Sequence, residues 1–160
     1  LNIKSPKETG KTFSSNAILK AKYFSKFSNL PVISDDSGLC IKALKQRPGI
    51  YSARWAKRHG SFLKAMKFIL RRMKKKNNRS ATFVCSLSII VPKKKIIVVT
   101  GKIKGSISKK IIGKNGFGYD PIFIPFSKNI TFGQMSKLKK IKMDHLYIDF
   151  KKIKKKIKIL

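Results

Sequence analysis

The stretch ATFVCSLSIIVP at residues 81–92 and the stretch KIIVVTGKIKG at residues 95–105 stand either side of a short lysine turn. Both are dense in β-branched residues, and each is closed by a turn former. Together they predict a long β-hairpin over about residues 82–104. Upstream of it, Leu63, Met66, Leu70 and Met73 recur at helical spacing and predict a helix over residues 61–76. RPGIYSARWA, residues 47–56, carries a Pro-Gly turn signal and reads as a loop. LPVIS and LCIKAL read as two short strands, joined by a turn at DDSG, residues 35–38. Phe13, Ala17, Ala21 and Phe24 mark a helix over residues 12–28, with Thr12 as its N-cap. Downstream, GKNGFGYDPIFIPF at residues 113–126 is a glycine-rich loop running into an apolar segment. A basic helix from Ser136 then places Leu138, Ile141, His145 and Ile148 near one face. Helices alternating with strands around one hairpin predict an α/β or α+β domain with a mixed central sheet.

A chain of 160 residues can bury one sizeable core and is short for two, so residues 1–160 read as a single domain. Its hydrophobic fraction of 42% and eleven Phe exclude a disordered polyelectrolyte. Cys40 and Cys85 both sit in apolar runs, as reduced buried thiols of a cytoplasmic protein do. No apolar run approaches the roughly 20 residues of a membrane span, and the first residues lack the apolar core of a secretory signal. The formal charge of +33 would attract polyanions without specificity. The lysines are spread through every predicted element, however, as in a composition biased toward Lys, Ile, Asn and Phe, so no specific nucleic-acid partner is expected. Against that background the six acids, Glu8, Asp35, Asp36, Asp120, Asp144 and Asp149, become the informative residues.

Two of them are adjacent in SDDSGL, residues 34–39, although neighbouring like charges repel. Two carboxylates followed by a hydroxyl and a glycine suit a hard divalent cation such as Mg²⁺, which takes oxygen ligands and shares substrate phosphates. A plain Asx-turn is the structural alternative. In GKNGFGYD, three glycines let backbone N–H groups approach an anion, while Phe117 and Tyr119 offer faces for a base; a tight loop with core aromatics is the alternative. The segment is neither a P-loop nor a dinucleotide-binding fingerprint. His59 and His145 show no zinc spacing, and no Ser-His-Asp arrangement can be read out.

Four blocks, ETGKTFSSNAILKA (8–21), LPVISDDSGL (30–39), PGIYSARW (48–55) and GFGYDPIF (116–123), with a weaker fifth, QMSKLKKIKMDH (134–145), occur in one order over almost the whole chain. In this the chain resembles the inosine triphosphate pyrophosphatases, also called XTP/dITP diphosphatases. The resemblance implies hydrolysis of non-canonical purine nucleoside triphosphates (ITP, dITP, XTP) to the monophosphate and pyrophosphate with Mg²⁺. It also implies a cytoplasmic homodimer whose α/β fold has two lobes flanking a nucleotide cleft. By the same resemblance Asp36 is metal ligand and proton acceptor, and Ser37 contacts substrate. Phe117, Gly118, Tyr119 and Asp120 form the nucleotide loop, with Phe117 on the purine. Lys20 and Lys140 face the triphosphate, and His145 reads the base.

Some positions depart from that pattern. The family opens with a strand and a Ser/Thr-x-Asn-x-x-Lys phosphate loop well before the ETG block, whereas seven residues precede Glu8 here, so that strand and loop are expected to be missing. A family metal-binding glutamate falls on Lys7, with Glu8 beside it as substitute ligand. Another glutamate is Ser15, and the base-reading Ser-His-Arg is Asp144, His145 and Leu146. Two alternatives therefore stay open at this stage: an eroded homologue of the same fold, and a basic nucleic-acid-binding protein.

Overall fold

The computed structural model describes residues 3–92, 96–141 and 143. Helix α1, Phe13–Phe24, begins at Thr12, whose hydroxyl accepts from the Ser15 amide while the Ser15 hydroxyl serves the Thr12 amide in return. This reciprocal cap gives Ser15 a structural role. Ala17 and Ala21 are buried, as the periodicity predicts, and a single 3₁₀ turn, Ser25–Phe27, extends the helix.

Strand β1 is Val32–Ile41, and it contradicts the expected turn. SDDSGL lies in one uninterrupted strand, paired along its whole length with β3, Ser80–Ile90, from Val32 opposite Ile90 to Ile41 opposite Ala81. The ladder outweighs the turn preference of Asp, Ser and Gly, because strand propensity yields to the neighbours a strand finds. It also resolves the paired carboxylates. Side chains alternate along a strand, so buried Asp36 and exposed Asp35 leave opposite faces.

β2, Arg47–Pro48, adds a short edge. The expected loop over residues 47–56 is instead a 3₁₀ turn, Gly49–Tyr51, and helix α2, Ser52–His59, which Gly60 ends at φ 86°. Helix α3, Phe62–Met73, is capped by the Ser61 hydroxyl. It buries Ala65, Met66, Ile69 and Met73; Leu63, expected on that face, is exposed because Ala65 and Ile69 complete the stripe.

The hairpin is present as β3 and β4, Ile97–Ile107, with Phe83 opposite Ile103; its lysine turn at residues 93–95 lies outside the described residues. A short β5, Phe123–Pro125, closes the order β2-β1-β3-β4-β5. Every pairing among the described strands is antiparallel, where a mixed sheet was expected. The α/β character holds. Helix α4, Lys137–Ile141, follows, and the rest of the expected C-terminal helix, with His145 and Ile148, lies outside the described residues.

The two sheet faces differ in kind. Leu39, Ile41, Ala81 and Phe83 pack with α3, Ile107, Phe123 and Phe132 into the main core. The other face carries Ser34, Asp36 and Ser86 beneath α1. There Ser34 donates to the Ala17 carbonyl, and Ser14, Ser86 and Thr100 share hydroxyl hydrogen bonds of 2.8–3.2 Å. One face supplies stability through apolar burial, and the other positions polar groups.

Candidate active site

Asp36 lies where α1 crosses β1. It is 6% exposed, and Asn16 of α1 donates to its Oδ2 at 3.0 Å. Lys20, one helical turn after Asn16, places Nζ 3.7 Å from the Asp36 Oδ1 and 2.9 Å from the Glu8 Oε1. A single ammonium thus sits between two carboxylates. Arg54 of α2 pins Glu8 from the other side, with Nη2 3.5 Å from Oε2 and Nη1 donating to the Glu8 carbonyl. Burial pushes the Asp36 carboxyl up to about 6, against the lowering effects of the Asn16 hydrogen bond and Lys20; Glu8 and Asp35 add to the rise.

That shift fixes how stability responds to pH. A carboxyl holding its proton more tightly when folded adds stability that is fully present below its ordinary value of 3.8 and lost as pH rises through about 6. A change of roughly two pKa units corresponds to about 3 kcal/mol. Urea unfolding of the metal-free protein should therefore show wild type losing stability relative to Asp36→Asn between acid and neutral pH. A difference that stays flat across that range would show that Asp36 is not buried in this way.

The opposite wall comes from the loop over residues 116–120. The Asp120 Oδ2 accepts from the Phe117 amide at 2.6 Å and pairs with the Lys140 Nζ of α4 at 2.6 Å, closing the loop on itself. Gly116 is required here: its φ is +81°, and a Cβ would lie 2.0 Å from that same carboxylate oxygen. Tyr119 is buried and its phenol donates to the Ser52 carbonyl, while the Ser52 hydroxyl accepts from the Leu39 amide. Burial pushes the Tyr119 phenol well up. A hydrogen-bonded path thus joins the loop to β1 through the first residue of α2. Phe117 is left 77% exposed, edge-on to Phe62 at 5.1 Å.

Between these walls lies an open cavity of about 370 Å³. Each site residue expected from the sequence and described here lines it: Glu8, Lys20, Asp36, Ser37, the four loop residues 117–120, and Lys140. His145 lies outside the described residues. Lys140 is engaged by Asp120, although the resemblance assigned it to the triphosphate. Lys7 is exposed and does not line the cavity. Asn16, Ser52, Arg54 and Phe62 were not expected. Asn16 and Arg54 stand inside two of the matching blocks, a signal without a role until the fold supplied one.

Magnesium takes hard oxygen donors and completes its shell with water and phosphate oxygens, a need that carboxylates sharing one ammonium can meet. Among the described residues no group of three or more His, Cys, Asp or Glu side chains is placed to hold a metal ion.

The profile of the Ham1 family matches residues 1–156. A dITP/XTP pyrophosphatase of Caulobacter vibrioides is 40% identical over 156 residues, covering 96% of this chain and 80% of its own length. One from Bacillus licheniformis is 40% identical, over 91% of this chain and 76% of that protein. Among solved structures, the Staphylococcus aureus Ham1 protein superposes with a TM-score of 0.91 at 37% identity, over 98% of this chain and 81% of that one. A HAM1 protein from Coxiella burnetii gives 0.91 at 31% identity, over 98% and 82%. With profile, relatives and architecture in agreement over nearly the whole chain, the chain belongs to the Ham1 family.

Proposed function

We propose that this chain hydrolyses non-standard purine nucleoside triphosphates, such as dITP, ITP and XTP, to the monophosphate and pyrophosphate. The observation that carries the reading is Asp36: a buried carboxylate of raised proton affinity, held by an amide and an ammonium, in one cavity with an exposed aromatic ring. Its relatives in Caulobacter vibrioides and Bacillus licheniformis, both dITP/XTP pyrophosphatases, point the same way.

In this mechanism Asp36 accepts a proton from the water that attacks the α-phosphorus. In the metal-free site the buried carboxyl holds a proton more tightly than an ordinary aspartate, which favours its role as base; a bound cation would lower that affinity again. The Asn16 amide holds one oxygen, and the other lies 3.7 Å from the Lys20 ammonium. The ammonium of Lys20 stabilises negative charge on the phosphates, where preorganised cations act without reorganising. Glu8 and Asp36 would hold Mg²⁺, which would neutralise phosphate charge and polarise the reacting groups. The Phe117 ring stacks on the purine, and His145 reads its edge. Following the resemblance, the active form is a cytoplasmic homodimer.

The test is pyrophosphate release from dITP and dATP, with and without Mg²⁺. Mg²⁺-dependent pyrophosphate from dITP in preference to dATP is expected. Release of inorganic phosphate alone would overturn the reading, because it means attack at the terminal phosphorus. Phe117→Ala should raise KM for dITP about tenfold, since stacking on one base is worth roughly 1–3 kcal/mol. An unchanged KM would remove Phe117 from the base.

A further inference from the structure

Away from the cleft, α2 and α3 hold a second aromatic cluster. The Trp55 ring lies 5.6 Å from that of Phe68, and the His59 ring 4.5 Å from Phe68 at 30°. Tyr51, 49% exposed, stands at its rim. Two open cavities, of about 760 and 380 Å³, meet over this cluster and share Arg47, Trp55 and Phe68. Cations ring the larger one: Arg47, Arg71, Arg72, Lys74, Lys75 and Lys76. No described carboxylate lines either cavity, and neither shares a lining residue with the cleft.

We propose that this groove binds a single-stranded polynucleotide, without sequence preference and independently of the nucleotide cleft. Scattered lysines would give every face the same weak attraction. Here cations surround aromatic faces, and the Arg71 guanidinium already lies 5.6 Å over the Phe68 ring. Backbone phosphates meet the cationic walls while unstacked bases meet exposed Tyr51 and half-buried Trp55, the Phe68 ring already being met by His59 and Arg71; single strands offer that combination and duplexes do not. A second copy of this face is a poor occupant, since like charge would oppose like.

The chain has one tryptophan, Trp55, so its fluorescence reports on the groove. Oligothymidylate and oligouridylate of about 12 nucleotides, within the length one such surface spans, should each quench it saturably. A duplex of equal length and inorganic polyphosphate should bind about tenfold more weakly, and dITP should leave the signal unchanged. Replacing Arg71, Arg72 and Lys75 by Ala should weaken binding about tenfold and flatten the salt dependence by about two, near 0.7 per lost phosphate contact. Replacing Lys22, Lys26 and Lys128 by Ala removes the same charge elsewhere and should change affinity less than about twofold. Equal losses from the two triple variants, or polyphosphate binding as tightly as the oligonucleotides, would overturn the proposal.

Discussion

Asp36→Asn lowers Mg²⁺-dependent release of pyrophosphate from dITP by about a thousandfold or more, within the range that removal of a positioned general base produces. The variant keeps the size of the side chain, and its amide group can still accept from Asn16, so the fold should be retained or made firmer. What it loses is the anion that faces Lys20 and the basicity that takes a proton from water. Asp35→Asn should act within about threefold, because Asp35, although it lines the cleft, leaves the other face of β1 from Asp36, is exposed to solvent, and accepts from the Ser37 hydroxyl only at a long 3.4 Å. Single-turnover rates on variants with matched urea midpoints are the measurement. Undiminished turnover in Asp36→Asn would sink the mechanism.

Gly38→Ala destabilises the protein by about 3 kcal/mol, a melting-temperature loss on the order of 10 °C for a chain of this size. A Cβ on Gly38 would lie 2.3 Å from the Gly49 carbonyl oxygen and 2.5 Å from the Ser52 Oγ. Neither neighbour is the free end of a flexible side chain: one is backbone, and the other is fixed between the Leu39 amide and the Gly49 carbonyl. Displacing Ser52 also displaces the carbonyl that anchors Tyr119, so the site should loosen along with the fold. Gly60→Ala is the contrasting case. Its φ of +86° is strained for alanine, but a Cβ would meet only the Lys64 side chain at 3.8 Å, and about 1 kcal/mol is expected. Thermal melts of the two variants distinguish crowding from backbone strain; equal losses would contradict the close approach at Gly38.

The parts of the fold that could be read from the sequence were those whose local signals agree with their tertiary setting. The hairpin, the α3 stripe from Met66 to Met73 and the Thr12 cap are of this kind, because periodicity and capping are written into adjacent residues. β1 was hidden because Asp35, Asp36, Ser37 and Gly38 individually favour turns, and only the ladder to β3 overrules them. α2 was hidden behind its Pro-Gly entry. In the site, the carboxylates stood out because acids are so scarce. Asn16 and Ser52 did not, since small polar residues gain their meaning from a partner many positions away, Asp36 in one case and Tyr119 in the other.

Glu8, Asp35, Asp36 and Asp120 all line the cleft, so four of the six acids in the sequence are gathered in one depression of a strongly cationic molecule. The outcome is a division between approach and arrival. At a distance, a nucleotide tetra-anion experiences the attractive potential of the whole protein and is steered inward, with an association rate that should fall steeply as ionic strength rises. At contact, it meets carboxylates already paired with Lys20, Arg54 and Lys140, so its phosphates must compete with those carboxylates for the ammonium and guanidinium groups. Encounter is therefore fast and indiscriminate toward any triphosphate, and selectivity falls to what happens after the ligand has already arrived.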